Sequence, residues 1–274
     1  MSKTKNKKKI KIAVAGVCGR MGQRISALVS QAPDMELVAV FERKGYKALV
    51  ETVSSFIPSS KKVFVTDNAE KAIARCDVLI DFTFPQVTLT NLKYVKKHKK
   101  KIVIGTTGLS DKQRKVVKKT AGGNAIVFSP NMSVGVNLLF KLSSLVASTL
   151  HADYDIEIVE AHHKHKKDSP SGTAAHLAEI VAASRKVSLA KKGVYGRKGV
   201  TGERARGSIG VHAIRGGDVV GEHTVSFLTE GERVELVHKA SSRDAFAKGA
   251  LVAARFLKNK RRGIFSMQDV LGLS

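Results

Sequence analysis

The sequence predicts an α/β protein of two domains, and two patterns along the chain support this prediction. From residue 10 to about residue 130, short apolar runs alternate with segments of helical periodicity, as in a parallel sheet covered by helices. From about Asp155 to Ala240, longer strand-like runs follow one another, which predicts a second, antiparallel sheet. With 274 residues, of which 43% are hydrophobic, the chain is long enough to fill two modest cores.

The first region alternates predicted strands with predicted helices. The predicted strands are KIAVAG, ELVAVFE, KVFVT, DVLIDF, KIVIG and AIVFS. The predicted helices between them are RMGQRISALVSQ, NAEKAIARC, QVTLTNLKYVKKHKK and SDKQRKVVKKTAG. This order is typical of repeated βαβ units, so we expect the strands to be parallel.

The second region begins with DIEIVE as a strand and a helix that starts near Ser171. Three strands are then predicted in succession, GSIGVHAI, VVGEHTVSFL and ERVELVHKA, with Arg215–Asp218 as a turn between the first two. The last helical segment, SRDAFAKGALVAARFL, is expected to pack on the first domain. We therefore expect one domain of residues 1–133 and 243–274 and a second of residues 134–242.

The formal net charge of +25 raises the question of a polyanionic partner. The basic residues are scattered over the chain with few aromatic residues between them, and no DNA- or RNA-reading motif is recognisable. Without the six lysines of residues 1–11 the charge is still +19. We interpret it as a solvated basic surface that also favours small anionic ligands, and we predict no nucleic-acid partner.

The N-terminal segment and the two cysteines indicate where in the cell the protein is located. The apolar stretch behind MSKTKNKKK is short and interrupted by Lys11 and Arg20, so it predicts neither a signal peptide nor a membrane anchor. Cys18 and Cys76 form no CxxC motif and suggest no disulfide framework. We expect a cytoplasmic protein that does not bind membranes.

A glycine-rich segment follows the first predicted strand and opens the first predicted helix. Its spacing is GxxGxxG, a variant of the commoner GxGxxG, with glycines at positions 16, 19 and 22. Gly16 permits a tight turn, Gly19 lets the backbone approach a pyrophosphate, and Gly22 permits close helix packing. Strand, loop and helix in this order predict a dinucleotide site.

Glu42 ends the second predicted strand, twenty residues after Gly22. At this offset an acidic side chain accepts hydrogen bonds from the adenosine ribose hydroxyls. A carboxylate favours NADH, whereas the neighbouring Arg43 could pair with the 2′-phosphate of NADPH. The pair therefore predicts use of both NADH and NADPH.

Two later strand ends are expected at the same crevice of the sheet. One carries Asp81–Pro85, with Phe82 as an aromatic ring that could cover the nicotinamide. The other carries Gly105, Thr106 and Thr107, whose backbone and small hydroxyl groups could hold the nicotinamide amide.

The segment EAHHKHKKDSPSGTA, Glu160 to Ala174, places three histidines and three lysines between a strand and a helix start. The backbone N–H groups at Gly172 and Thr173 would hold a carboxylate at the positive end of the helix dipole. His162, His163 and Lys166 would supply protons and positive charge beside it. This is the outline of a site for an acidic substrate.

Plainer interpretations of this segment stay open at this point. A histidine and lysine run is commonly a solvated loop, and Ser171 before a helix is commonly an N-cap alone. Zinc fits poorly, because no ligand set with fixed spacing is present and the lysines would repel a cation. We predict no metal site.

Taken together, these residues resemble the dihydrodipicolinate reductase family of the diaminopimelate route to lysine. The resemblance covers nearly the whole chain, and EAHHKHKKDSPSGTA is its most specific part. The other motifs are GVCGRMG, Glu42-Arg43, DFTFP, GTTG, SPNMSVGVN, GERARGSIGVHAIRGGDVVGEHTV and HKASSRDAFAKGA. The resemblance implies a Rossmann-like domain, a substrate domain with a mixed, largely antiparallel open sheet, and a homotetramer.

The resemblance also implies roles for individual residues. Gly16, Val17, Cys18, Gly19, Arg20 and Met21 would bind the cofactor phosphates, and Glu42 and Arg43 the adenosine ribose and its phosphate. Gly105, Thr106 and Thr107, with Ser129, Pro130, Asn131 and Met132, would line the nicotinamide side. His162 and Lys166 match the family's proton donors, and His163, Lys166, Ser171, Gly172 and Thr173 match the groups that bind a small cyclic dicarboxylate.

The implied reaction is reduction by NADH or NADPH of 4-hydroxy-tetrahydrodipicolinate, through dihydrodipicolinate, to tetrahydrodipicolinate. An aspartate or homoserine dehydrogenase-like enzyme is the enzymatic alternative, and it accounts for the first domain equally well. It does not account for the segment Glu160–Ala174. A basic nucleic-acid-binding protein is the non-enzymatic alternative, and it predicts salt-sensitive retention on DNA or RNA without turnover.

Overall fold

The computed structural model describes residues 8–46, 49–57 and 62–274. The chain divides into two compact units, Met1–Val134 with Asp244–Ser274, and Gly135–Arg243. We call them the first and the second unit. Most of the predicted N-terminal lysine cluster, residues 1–7, lies outside the described residues.

The first unit holds most of the elements. Up to residue 134 they are β1 (Ile10–Ala15), α1 (Arg20–Gln31), β2 (Met35–Phe41), α2 (Leu49–Ser54), β3 (Phe64–Thr66), α3 (Ala69–Arg75), β4 (Val78–Asp81), α4 (Pro85–Lys97), β5 (Lys101–Ile104), α5 (Asp111–Ala121) and β6 (Ala125–Phe128). The second unit contains α6 (Val134–Thr149), β7 (Asp155–His162), α7 (Gly172–Ser184), α8 (Leu189–Lys192), β8 (Gly193–Val194), β9 (Ile209–Arg215), β10 (Gly221–Thr229) and β11 (Glu232–Ala240). The chain then returns to the first unit with α9 (Asp244–Leu257), β12 (Gly263–Phe265) and α10 (Met267–Leu271).

The sheet of the first unit has seven strands in the order β12-β6-β5-β4-β1-β2-β3. All its neighbouring pairs are parallel. The chain runs outward from β1 to β3 and then returns to β4 on the other side of β1. The strand order therefore reverses between β1 and β4, where ligands bind in open α/β sheets.

Both faces of this sheet are buried, as parallel strands require. Because side chains alternate along β1, Ile12 and Val14 enter one core cluster, while Ala13 and Ala15 enter another. The helices α1 and α9 contribute to the first cluster, and α3, α4 and α5 to the second. Helix α9 packs on α1, and its buried positions include Ala247, Ala250 and Leu257. The predicted α/β class and parallel sheet are confirmed.

The second unit has a mixed five-stranded sheet in the order β11-β10-β7-β9-β8. Strand β10 is antiparallel to β11 and β7, whereas β9 is parallel to β7 and β8. The mixed, largely antiparallel sheet that the resemblance implies is confirmed, whereas the run of strands alone had predicted an antiparallel sheet and did not indicate the parallel pair of β7 and β9. Because α7 carries the chain across from β7, β9 joins β7 as a parallel βαβ pair. The chain after Arg215 then crosses to the far edge of β7, so β9 and β10 are not neighbours.

One face of the second sheet packs on α6 and α7. Ile158 of β7 and Val225 and Phe227 of β10 are buried there with Phe140 of α6 and Leu177 of α7. Helix α6, sixteen residues long, had no predicted counterpart, and neither had β12. Among the described residues, no helix has both the length and the apolar character needed to cross a membrane.

Candidate active site

The glycine loop between β1 and α1 depends on the absence of side chains at two positions. Gly16 has a φ of +66°, and a Cβ there would lie 2.8 Å from Thr83 Cγ2. A Cβ on Gly22 would lie 2.1 Å from the carbonyl oxygen of Gly16. The loop and the first turn of α1 are thus in direct backbone contact. Gly19 is the N-cap and has no side chain to bond the first amides of α1, which suits an anion at this helix end.

Glu42 lies beside this loop, directly after β2. Its carboxylate accepts hydrogen bonds from the Cys18 N–H at 3.2 Å and from the Arg43 N–H at 3.0 Å. The Arg43 guanidinium lies over the ring of Tyr46, 5.8 Å from its centroid. The acid and base predicted for the adenosine ribose therefore lie at the same strand end as the glycine loop.

A cleft of about 710 Å³ joins these groups, within the usual range of ligand pockets. Its lining includes the glycine loop, Glu42, Arg43, Phe82, Thr83 and Phe84. The cleft lies at the carboxyl ends of β1, β2 and β4. These residues fit a dinucleotide, because small backbone turns face the phosphates and an acid and a base flank the ribose.

Asp81 lies at the end of β4, in the segment predicted at the crevice, and no role was predicted for its side chain. It is fully buried and accepts hydrogen bonds from the Thr83 hydroxyl at 2.5 Å and from Asn91 Nδ2 at 3.0 Å. Burial raises the pKa of the Asp81 carboxyl. The predicted cofactor residue Thr106 belongs to the same network, since its hydroxyl accepts from the Thr83 N–H at 3.0 Å and contacts Thr88 Oγ1 at 2.9 Å. The Thr106 side chain is therefore engaged within the protein.

The other predicted nicotinamide-side residues form two tight turns. A Cβ on Gly105 would lie 2.3 Å from the Phe82 ring, so Phe82 packs directly on the backbone there. Ser129 Oγ donates to the carbonyl of Asn131 at 2.8 Å. Met132 is buried in the core, whereas Thr107 and Pro130 are exposed.

In the second unit, β7 ends in a buried carboxylate that gathers donors from three elements. Glu160 accepts hydrogen bonds from His162 Nδ1 at 2.6 Å, from the Ser171 N–H at 2.9 Å and from two Arg215 nitrogens at 2.8 Å each. Burial raises the pKa of the Glu160 carboxyl, but the hydrogen bonds from Arg215, His162 and Ser171 lower it overall. Glu160 is therefore ionised.

Ser171 is the N-cap of α7, and its Oγ accepts from the Ala174 N–H at 3.2 Å. The same oxygen lies 3.2 Å from Nε2 of His223, a buried residue of β10. Burial lowers the pKa of His223 to about 4, so its ring is neutral near pH 7. A Cβ on Gly172 would meet no atom within 4 Å, so a side chain at this position would not clash with its surroundings.

The remaining predicted residues lie on the turn after β7. The carbonyl of His163 accepts from the Lys166 N–H at 3.1 Å, and Lys166 Nζ forms an ion pair with Asp168 at 2.9 Å. Burial lowers the pKa of His163, as do the positive charges of Arg243, His162, His165 and Lys166. Within the described residues, Nδ1 of His163 has no hydrogen-bond partner.

Lys166, His162 and His163 thus lie in the short segment that leads to the N-terminus of α7, and a helix N-terminus suits an anionic ligand. No role was predicted for Arg215 or His223. They contact Glu160 and Ser171 because β9 and β10 are the two neighbours of β7 in the sheet. Glycines after Arg215 had indicated a turn, and nothing in the sequence indicated that the arginine itself would enter the buried cluster.

Comparison with known proteins agrees with this geometry over both units. The family model for the N-terminal part of dihydrodipicolinate reductase matches residues 10–132. The family model for its C-terminal part matches residues 135–271. The chain belongs to the dihydrodipicolinate reductase family. The predicted membership and enzyme class are confirmed: the chain is an oxidoreductase of this family, and its cofactor is NADH or NADPH.

Known reductases of this family are similar to the chain over nearly the whole length of both proteins. The chain is 50% identical to the 4-hydroxy-tetrahydrodipicolinate reductase of Nitrosospira multiformis, covering 96% of this chain and 98% of the relative. It is 49% identical to the enzyme of that name from Burkholderia thailandensis, with the same coverage. The solved dihydrodipicolinate reductase of Paenisporosarcina sp. TG-14, bound to dipicolinate, has a TM-score of 0.76 and 29% identity, covering 95% of this chain and 98% of that one. Because the match covers both units, the alternative of an aspartate or homoserine dehydrogenase-like enzyme is wrong.

Proposed function

We propose that the chain acts as a 4-hydroxy-tetrahydrodipicolinate reductase in which the two units divide the work between cofactor and substrate. The observation that carries this proposal is the cluster of Glu160, His162, Arg215 and Ser171 at the start of α7. A proton donor, a helix N-terminus and a lysine lie within one short segment there. Family membership supplies the reaction, and the proposal concerns which residues perform it.

The first unit would bind the cofactor. Backbone groups of Gly16–Met21 would hold the pyrophosphate at the N-terminus of α1. Glu42 would accept hydrogen bonds from the adenosine ribose, and Arg43 would pair with the 2′-phosphate of NADPH. The nicotinamide would lie near Phe82, the backbone of Gly105–Thr107 and residues 129–132. When bound, NADH or NADPH supplies a hydride.

The second unit would bind the substrate, a cyclic dicarboxylate. The backbone N–H groups of Gly172 and Thr173 belong to the first turn of α7, at the positive end of the helix dipole. One substrate carboxylate would bind there with the help of Ser171. His163 and Lys166 would pair with the carboxylates as well, and Lys166 would exchange its partner Asp168 for substrate.

The proton chemistry would belong to His162. Loss of water from the 4-hydroxy substrate leaves a conjugated C=C–C=N system, which accepts hydride at the ring carbon remote from nitrogen. The product of that addition is an enamine, and a proton delivered to its carbon completes the reduction. His162 as imidazolium would donate this proton, while Lys166 offsets negative charge on the substrate.

We also propose that the enzyme is a cytoplasmic homotetramer. The sheet face of the second unit opposite the core carries Ile214 and Val237, and both are about half exposed, at 55% and 52%. Apolar side chains on an uncovered sheet face favour assembly with further copies. Analytical ultracentrifugation of the purified chain tests the tetramer, and a monomer at micromolar concentration would contradict it.

A coupled assay tests the proposed reaction. Dihydrodipicolinate synthase produces the substrate from pyruvate and aspartate semialdehyde, and the loss of NADH or NADPH absorbance is followed. We expect oxidation of both cofactors only when the synthase and its substrates are present. If neither cofactor is oxidised in the complete mixture, the proposed substrate is wrong.

A further inference from the structure

The Glu160 carboxylate is unusual in being both fully buried and fully hydrogen-bonded. Oε1 accepts from Arg215 Nη2 and the Ser171 N–H, while Oε2 accepts from Arg215 Nη1 and His162 Nδ1. The two parallel bonds from Arg215 are the bidentate geometry that stabilises an ionised carboxylate most strongly. An ionised carboxylate only accepts hydrogen bonds.

This arrangement determines which nitrogen of His162 carries the proton in the neutral ring. Since Glu160 cannot donate, the 2.6 Å contact requires a hydrogen on Nδ1. Nε2 then carries the lone pair and is the nitrogen that gains and loses the catalytic proton. A Cβ on Gly221 would lie 3.0 Å from Nε2, so glycine at this position keeps a side chain from crowding this nitrogen.

We propose that Glu160 is a positioning residue of the reductase, with Arg215 as its counter-ion. Glu160 holds His162 as the Nδ1–H tautomer and orients Nε2 for proton donation. Arg215 keeps Glu160 ionised, so that the carboxylate does not take the proton itself. This inference rests on the proposed role of His162 as the proton donor.

A purely structural role for Glu160 is the competing explanation, because its bonds also tie β7 to β9 and to the start of α7. Glu157 provides a matched comparison on the same strand. It accepts from His212 Nε2 at 2.7 Å, from Arg197 Nη2 at 2.8 Å and from Arg204 Nε at 3.1 Å. Glu157 therefore joins a histidine and arginines in the same way, but on the sheet face opposite Glu160.

The charged groups that face His162 come from several elements. Glu160 lies on its own strand, Arg215 on β9 and His223 on β10, and His163 and Lys166 lie on the following turn. Glu160 is the anion among these groups, and its carboxylate is bonded to the His162 ring.

The test compares Glu160→Gln with Glu157→Gln in the full-length enzyme. We expect Glu160→Gln to lower kcat at least about 10-fold, the smaller end of the loss seen when a histidine-orienting carboxylate is removed. KM and NADH affinity should change little, and the pH profile of kcat should change. Glu157→Gln should keep kcat and its pH profile.

A spectroscopic readout separates positioning from folding. In ¹⁵N-labelled wild-type enzyme at alkaline pH, long-range ¹H–¹⁵N spectra should show the His162 ring with a protonated Nδ1 and a bare Nε2. In Glu160→Gln the two tautomers should mix, because an amide accepts and donates. If Glu160→Gln fails to fold, Glu160→Asp retains the charge but shortens the reach, and it should show the same kcat loss.

Two results would overturn the positioning role: a kcat loss in Glu160→Gln no larger than in Glu157→Gln, or an unchanged Nδ1–H tautomer. His162→Gln separates this inference from the proposed function. A wild-type kcat in that variant would remove His162 as donor, and with it the catalytic meaning of Glu160, whatever tautomer the spectra show.

Discussion

Glu157 and Glu160 lie on opposite faces of β7, and each carboxylate binds one histidine together with arginine. Because side chains alternate along a strand, two residues that are three positions apart point to opposite sides of the sheet. Burial raises the pKa of Glu157, but Arg197, His212 and Arg204 lower it to about 2. The same chemistry thus serves two purposes. Glu157 fastens the segment before β9 to the sheet, whereas Glu160 lies beside the proposed proton donor.

His162→Gln and Lys166→Gln are expected to lower kcat much more than they change cofactor affinity. General acid catalysis is typically worth about 10²- to 10⁴-fold, so a loss in that range is expected for His162→Gln. The measurements are steady-state kinetics in the coupled assay and NADH titration by fluorescence. His165→Gln and Lys167→Gln are matched controls, since both residues are exposed on the same turn. A loss of only a few-fold in both test variants would remove these residues from the mechanism.

Arg43→Ala is expected to weaken NADPH binding selectively, and Glu42→Ala to weaken NADH binding selectively. The guanidinium attracts the 2′-phosphate, while the carboxylate repels it and accepts from the ribose hydroxyls. Binding of each cofactor to each variant is measured by fluorescence or calorimetry. Lys44→Ala is the control for a change of charge nearby. Equal effects of each substitution on both cofactors would show that the two residues do not read the ribose.

The features predicted well from the sequence are local turns and helix starts, which depend on residues that are neighbours in the chain. Gly16 and Gly22 could be assigned because a tight turn and a close helix contact each require a particular residue at a fixed spacing. Ser171 could be assigned as an N-cap for the same reason. Such local requirements do not depend on which strands become neighbours.

The parts that failed depend on contacts between distant segments. The turn after Arg215 indicated that β9 and β10 would pair, but the α7 crossover places β7 between them. The partners of Glu160 therefore come from residues 55 and 11 positions away, Arg215 and Ser171. The hydroxyl of Thr106, a predicted cofactor residue, bonds to Thr83 and Thr88, and the sequence did not indicate these contacts. Side-chain direction at a strand end is set by such packing and is not visible in the spacing.

Gly22→Ala is expected to reduce both cofactor binding and stability. The added Cβ would lie 2.1 Å from the Gly16 carbonyl oxygen and 2.8 Å from Val17 Cα, which are backbone atoms that cannot rotate away. Overpacking of this kind typically costs about 1–3 kcal/mol. Urea unfolding and NADH titration measure the two effects. Gly123→Ala is the control, because a Cβ there meets nothing within 4 Å. An unchanged NADH affinity in Gly22→Ala would show that the loop does not need this contact.

His223 is expected to make the free energy of unfolding fall as the pH decreases below about 6.5. Burial lowers the pKa of His223 from its ordinary value of 6.5 to about 4, so the folded state binds this proton less readily than the unfolded state. The stabilising contribution is therefore fully present above pH 6.5 and is lost as the pH falls towards 4. Between pH 7.5 and pH 5 the loss for one such group is about 2 kcal/mol.

Urea unfolding of the wild type and of His223→Gln at several pH values measures this contribution. The variant is expected to be less stable at pH 7.5, because a buried ring is replaced, but its stability should fall by about 2 kcal/mol less on going to pH 5. His151→Gln, at an exposed histidine of the same unit, should keep the wild-type pH dependence. Acidic residues titrate alike in all three proteins, so the difference in slope isolates His223. Parallel curves for wild type and His223→Gln would mean that the ring is protonated as readily in the folded chain as in the unfolded one.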